Sequence, residues 1–288
     1  MLCCSCATQN SSNSALPVET SFNHGAGRGQ PLLVKLRLES GQELVFTVDT
    51  EAAHTILDNS LEPKLGKRLG TRPDFAFAGV KQAALFKAPK IFLGQTPLLT
   101  GGVVWTEDLR DCPFQGILGM DCLRHYCLQL DFASGKMRFL NPALAHKEDL
   151  GQAIPLSILF GNVYVHGDFW RTGNKSFLVD TGCIANMDAL LKPRLFRRKQ
   201  REQKPVWTTT VETPAGKSKG TSGFAQDVFG GRTYSNVILT EWCGPGYWPV
   251  KNLIGLRFLA RNLVTFDFPN RMMYLKQESA GPLASARE

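Results

Sequence analysis

Four landmarks occur twice along this chain, in the same order and at nearly the same spacing. An apolar run, Val45-Phe46-Thr47-Val48, leads into Asp49-Thr50, and a second, Phe177-Leu178-Val179, leads into Asp180-Thr181-Gly182. Val103-Val104-Trp105-Thr106-Glu107 is echoed by Val237-Ile238-Leu239-Thr240-Glu241, and Ile117-Leu118-Gly119 by Leu253-Ile254-Gly255. Leu128-Gln129-Leu130-Asp131-Phe132 is echoed by Val264-Thr265-Phe266-Asp267-Phe268. The interval from Asp49 to Gly119 is 70 residues (49 to 119), and from Asp180 to Gly255 it is 75 (180 to 255). Two copies are too few for a solenoid, whose repeats need several neighbours to bury a core. They predict a pair of lobes related by a pseudo-two-fold axis.

The segments between landmarks are short, apolar or alternating, and separated by Gly, Ser and Pro, which reads as β-hairpins rather than helices. Residues 32–38 turn at Ser40-Gly41-Gln42 and return to deliver Asp49. A polar stretch runs to Pro73, and a second hairpin is expected with its tip near Gly79. In the later half, 163–169 returns to Asp180, and a tip hairpin turns at Pro214-Ala215-Gly216. The fold class expected is all-β and bilobal with few short helices. The divisions are an unstructured segment at 1–30, an N-terminal lobe at 31–148, a C-terminal lobe at 149–277 and a tail at 278–288.

Chemistry enters through the two acidic strand ends. Each places a carboxylate beside a small hydroxyl residue where the strand stops, and in the second copy a glycine follows that tolerates conformations other residues resist. Two such carboxylates are the raw material of an acid/base pair. The five histidines form no H-E-x-x-H pattern and the eight cysteines no regular framework, so neither a metal nor a cofactor is expected. The net charge of +8 selects no partner by itself.

These residues resemble the pepsin and retropepsin clan of aspartic peptidases over roughly residues 31–276, as if two retropepsin-like subunits were fused. The resemblance implies an aspartic-type endopeptidase in which Asp49 and Asp180 share one proton and activate a water. It implies that Thr50 and Thr181 brace the two loops across the axis, and that hairpin tips near Gly79 and Gly216 act as flaps. Gly182 matches the clan's motif glycine; Glu51 stands where the first copy should have one. The substrate implied is a polypeptide in extended conformation, bound by a monomer whose site lies between its own lobes. The alternative from another class is a catalytically degenerate module that binds extended peptides or partner proteins in the same cleft.

Other features take plainer readings. Asp131 and Asp267 read as structural strand ends. Cys183 reads as a small packed residue, with no histidine beside it in sequence to activate its thiol. Residues 192–204 hold seven basic side chains and one acidic one, and read as a solvated insertion rather than a nucleic-acid surface. The opening residues, with Cys3, Cys4 and Cys6, lack the positive start and apolar core of a signal and read as a frayed terminus. Were one of these cysteines lipidated, the chain would be membrane-tethered and extracytoplasmic.

Overall fold

The computed structural model describes residues 16–76, 79–141, 150–173, 175–200, 206–213, 216–242 and 251–284. Strands dominate them, hydrogen-bonded into a nine-stranded and a thirteen-stranded sheet, and the chain forms two lobes.

In the first lobe, strand Leu33–Leu38 turns through Gly41 (φ +88°) and returns as Glu43–Val48, with Leu33 opposite Thr47. Alternation sets its faces: Val34, Leu36 and Leu38 are buried while Lys35 is exposed. Gly116–Leu118 then slots in parallel beside Glu43–Val48, with Leu118 opposite Val48, and antiparallel beside Ile56–Asp58. A segment far downstream thus pins the loop that begins at Asp49. At Gly119 an added Cβ would collide with the His54 carbonyl oxygen, so only glycine lets the chain pass so close beneath that loop.

The second lobe repeats the construction. Asn162–Gly167 pairs with Lys175–Asp180, and Leu253–Gly255 slots in parallel, with Gly255 opposite Asp180, and antiparallel beside Ala189–Leu191. Both inserted strands run into a one-turn helix, Met120–Leu123 and Leu256–Leu259. Long hairpins stand at equivalent places: Arg68–Ala76 with Gly79–Lys87, and Val206–Thr213 with Gly216–Phe229. Gly79 and Gly216 are the first residues of the returning strands, opposite Ala76 and Thr213.

The lobes join through a ladder. Cys127–Asp131 pairs antiparallel with Asn262–Asp267, placing Gln129 opposite its own counterpart Thr265. Gln129 Nε2 donates to Thr265 Oγ1 at 3.1 Å. The pseudo-two-fold axis therefore passes through this pair. Asp131 and Asp267 behave as the structural residues expected: each accepts a backbone N–H from the turn after its strand, Ser134 at 3.0 Å and Asn270 at 3.3 Å.

Four expectations need correction. Order begins before Pro31. Val18–Ser21 forms an outer strand of the joining sheet, paired with Lys136–Leu140, and Phe22 buries its ring against Phe132 at 5.3 Å. Four residues with half-buried and exposed faces carry too little apolar signal to stand out from the polar stretch before them. Strand Arg68–Ala76 begins inside the stretch read as polar connection; its residues 68–74 are largely exposed, so pairing with Gly79–Lys87 rather than burial holds it. The basic insertion is a docked helix, Pro193–Gln200, with Leu195 and Phe196 buried and Arg198 donating to the Thr172 carbonyl at 2.7 Å. Its proline sits at the first helical position, where no intrahelical donor is lost. The segment called a tail also packs as far as it is described: Glu278 N donates to Arg261 O at 2.9 Å. The cysteine-rich opening, the hairpin turns at 77–78 and 214–215, and the inter-lobe boundary at 148 and 149 lie outside the described residues.

Candidate active site

The inserted strands bring the two acidic loops face to face, and the threonines lock them there. Thr50 N donates to Thr181 Oγ1 at 3.0 Å, and Thr181 N donates to Thr50 Oγ1 at 3.2 Å. Each hydroxyl passes its own proton across the axis: Thr50 Oγ1 to Val179 O at 2.6 Å, and Thr181 Oγ1 to Val48 O at 2.7 Å. Both threonines are fully buried. The four bonds pair both threonine N–H groups and both hydroxyls of the crossing, which matters because a buried donor or acceptor without a partner costs about 1–3 kcal/mol.

The carboxylates meet over Gly182. Its backbone N–H donates to Asp180 Oδ1 at 2.8 Å, and a Cβ added to it would lie 2.5 Å from Asp49 Oδ2. The glycine is required by the space Asp49 occupies, since its φ is not in the left-handed region. Asp49 Oδ1 accepts from Glu51 N at 2.8 Å and Ala52 N at 3.2 Å. Burial pushes Asp49 up to about 6, with the nearby Glu51 charge adding to the rise and the two backbone N–H bonds opposing it. Asp180 is pushed well above the usual carboxylate range, first by burial and then by the charges of Glu51 and Asp49. Two carboxylates so placed titrate together and retain a proton between them.

Glu51 points into the site. Its carboxyl opposes the ionisation of Asp180 and pairs with Lys251, Nζ to Oε1 at 3.0 Å. The Glu51 and Lys251 side chains are only 20% and 14% exposed, so this is a partly desolvated pair. Sequence reasoning singled out Glu51 but missed Lys251, which stands 200 residues away.

Beneath the second loop, Leu178, Met187, Leu190, Ile238, Trp242 and Leu253 form an apolar cluster, with Cys183 packed against it. Burial and the neighbouring Asp180 raise the Cys183 thiol well above its usual range, so it stays protonated and acts as packing. A cavity of about 520 Å³ lies behind this loop, lined in part by Arg28, Asn186 and Arg257; neither aspartate lines it. Among the described residues, no group of three or more His, Cys, Asp or Glu is arranged to hold a metal ion.

No protein-family model matches this chain, and no curated protein matches it in sequence. Solved structures do match in shape, in 362 chains. Among them is basic 7S globulin from soybean, 11% identical, with a TM-score of 0.57 over 92% of this chain and 95% of that one. The fold resembles that of pepsin-like proteins. At such identity the likeness speaks for the architecture, all-β and bilobal, and leaves the chemistry to be argued from the side chains.

Proposed function

We propose that this chain is an aspartic-type endopeptidase that hydrolyses peptide bonds with a water activated between Asp49 and Asp180. The observation that carries the reading is the threonine crossing, which holds the carboxyls of Asp49 and Asp180 against Gly182. Asp49, the more readily ionised member, takes a proton from the attacking water. Asp180, protonated, donates to the oxyanion that forms and then helps protonate the leaving amine. An extended polypeptide fits between the two long hairpins, where it adds as a strand and the hairpins exclude water. The pair carries one proton only above about pH 6, since below it Asp49 is also protonated and no base remains. Activity is therefore expected to rise through that pH and to lie nearer neutrality than a plain acid protease would place it.

A second reading, a cleft that binds extended peptides without cutting them, is favoured by the third carboxyl group, Glu51, which opposes the ionisation of Asp180. Incubation with an unfolded protein over an acidic to mildly alkaline pH series, with and without a statine-type inhibitor, separates the two. Inhibitor-sensitive cleavage that disappears in Asp180→Asn supports the enzyme. Peptide binding without cleavage at any pH supports the module and sinks the peptidase reading.

A further inference from the structure

We infer that Lys251 is a positioning residue of the site, holding the Glu51 carboxylate against Asp180 so that the shared proton stays on Asp180 and Asp49 is left as the base. The inference rests on the two-aspartate reading above and concerns how that site tolerates a third carboxyl group.

Charge bookkeeping leads to it. Two aspartates sharing one proton carry a net charge of −1. The Glu51 carboxylate alone would make that −2 in a buried space, which is costly. Lys251 at 3.0 Å cancels it, and the four groups together return to −1 with one proton. Glu51 and Lys251 thus act as a compensated pair added to an otherwise ordinary dyad. The pair also breaks its symmetry. Glu51 stands near enough to Asp180 to oppose its ionisation, which favours the proton on Asp180. Asp49 accepts from two backbone N–H groups and Asp180 from one, so the ionised form is favoured more at Asp49.

The groups facing this proton come from three elements. The first loop supplies Asp49 and Glu51, and the second Asp180 and the protonated Cys183. Lys251 comes from the chain entering Leu253–Gly255. His54, further along the first loop, stacks on Trp105 at 4.4 Å.

The test is a charge cycle of four proteins: the native chain, Lys251→Met, Glu51→Gln and the double variant. Each is followed by the pH dependence of kcat/KM and, separately, by titration of ¹³C-labelled aspartate carboxyls in the uncomplexed protein. Removing Lys251 alone leaves the excess carboxylate uncompensated. Its loss should move the acidic limb of the rate profile and the aspartate titration up by about one pH unit, which at a pH below the limb is about a tenfold fall in kcat/KM. The double variant keeps an acceptor at position 51 without the charge and should return both readouts toward native. Lys251→Arg, which retains the charge, should stay near native.

If Lys251→Met titrates like the native chain, or if the double variant is no better than Lys251→Met, the inference is overturned. Should none of the proteins cleave peptides, the peptidase reading fails, while the carboxyl titration still decides the role of Lys251. Should Lys251→Met fail to fold, the double variant and Lys251→Arg decide it in the same way.

Discussion

The two acidic loops begin alike and end differently. Both leave a buried strand as Asp-Thr, both are pinned from beneath by a strand inserted from far downstream, and both give a threonine to the crossing. At the next residue they part. The second loop has Gly182, and the carboxylate of Asp49 occupies the space a side chain would need. The first has Glu51, whose carboxyl reaches Asp180 and Lys251. The difference teaches that the crossing fixes where the loops meet, while the residue after each threonine decides how the partner aspartate titrates.

Predictions follow from making the loops more alike or more different. The largest effect is expected from Asp49→Asn or Asp180→Asn, which removes the base or the acid and lowers kcat/KM by about 10²–10⁴-fold; equal residual activity in native and variant protein would mean that the carboxyls are not the catalysts. Gly182→Ala gives the second loop the Cβ that the first tolerates. It pushes Asp49 from its place, and a shift of about 1 Å in a reacting group costs on the order of 10²-fold in rate.

Thr50→Val strips one hydroxyl from the crossing and leaves Thr181 N and Val179 O without partners, so chemical denaturation should show a loss of about 1–3 kcal/mol. Thr181→Val should cost a similar amount, because the crossing is reciprocal. A cost confined to one lobe would break the symmetry described here.

The smallest effect is on stability against pH. Asp49 and Asp180 have folded-state values raised above those of the unfolded chain. Their contribution is therefore fully present below the unfolded carboxylate range, near 3.8, and is lost as pH rises through about 6 and beyond. Asp180→Asn should raise Tm at neutral pH by a few degrees relative to the native chain and leave it nearly unchanged in acid. Thermal melts at both conditions check this, and a variant less stable at neutral pH would contradict the burial ascribed to Asp180.

Much of this was legible in the chain. Strand-end aspartates, threonines and downstream Gly119 and Gly255 are local signals, repeated, and the repetition predicts both lobes and their meeting point. What was hidden is of two kinds. Val18–Ser21 and Arg68–Ala76 are strands held by pairing at an edge, so their sequences carry little apolar alternation. The helix Pro193–Gln200 shows only Leu195 and Phe196 as apolar anchors among basic residues, and the buried stem of Lys199 completes its inner face. Lys251 is hidden for a different reason: its meaning comes from Glu51, a contact that only the folded chain creates.

The Gln129–Thr265 pair on the axis has a consequence for how such a site can diverge. In a homodimer every substitution is made twice, so a glutamate beside one aspartate would stand beside the other as well, with two extra negative charges to neutralise. A single chain that carries both halves escapes that constraint. One half can change while its twin is kept, and acid and base can be assigned to different residues for good.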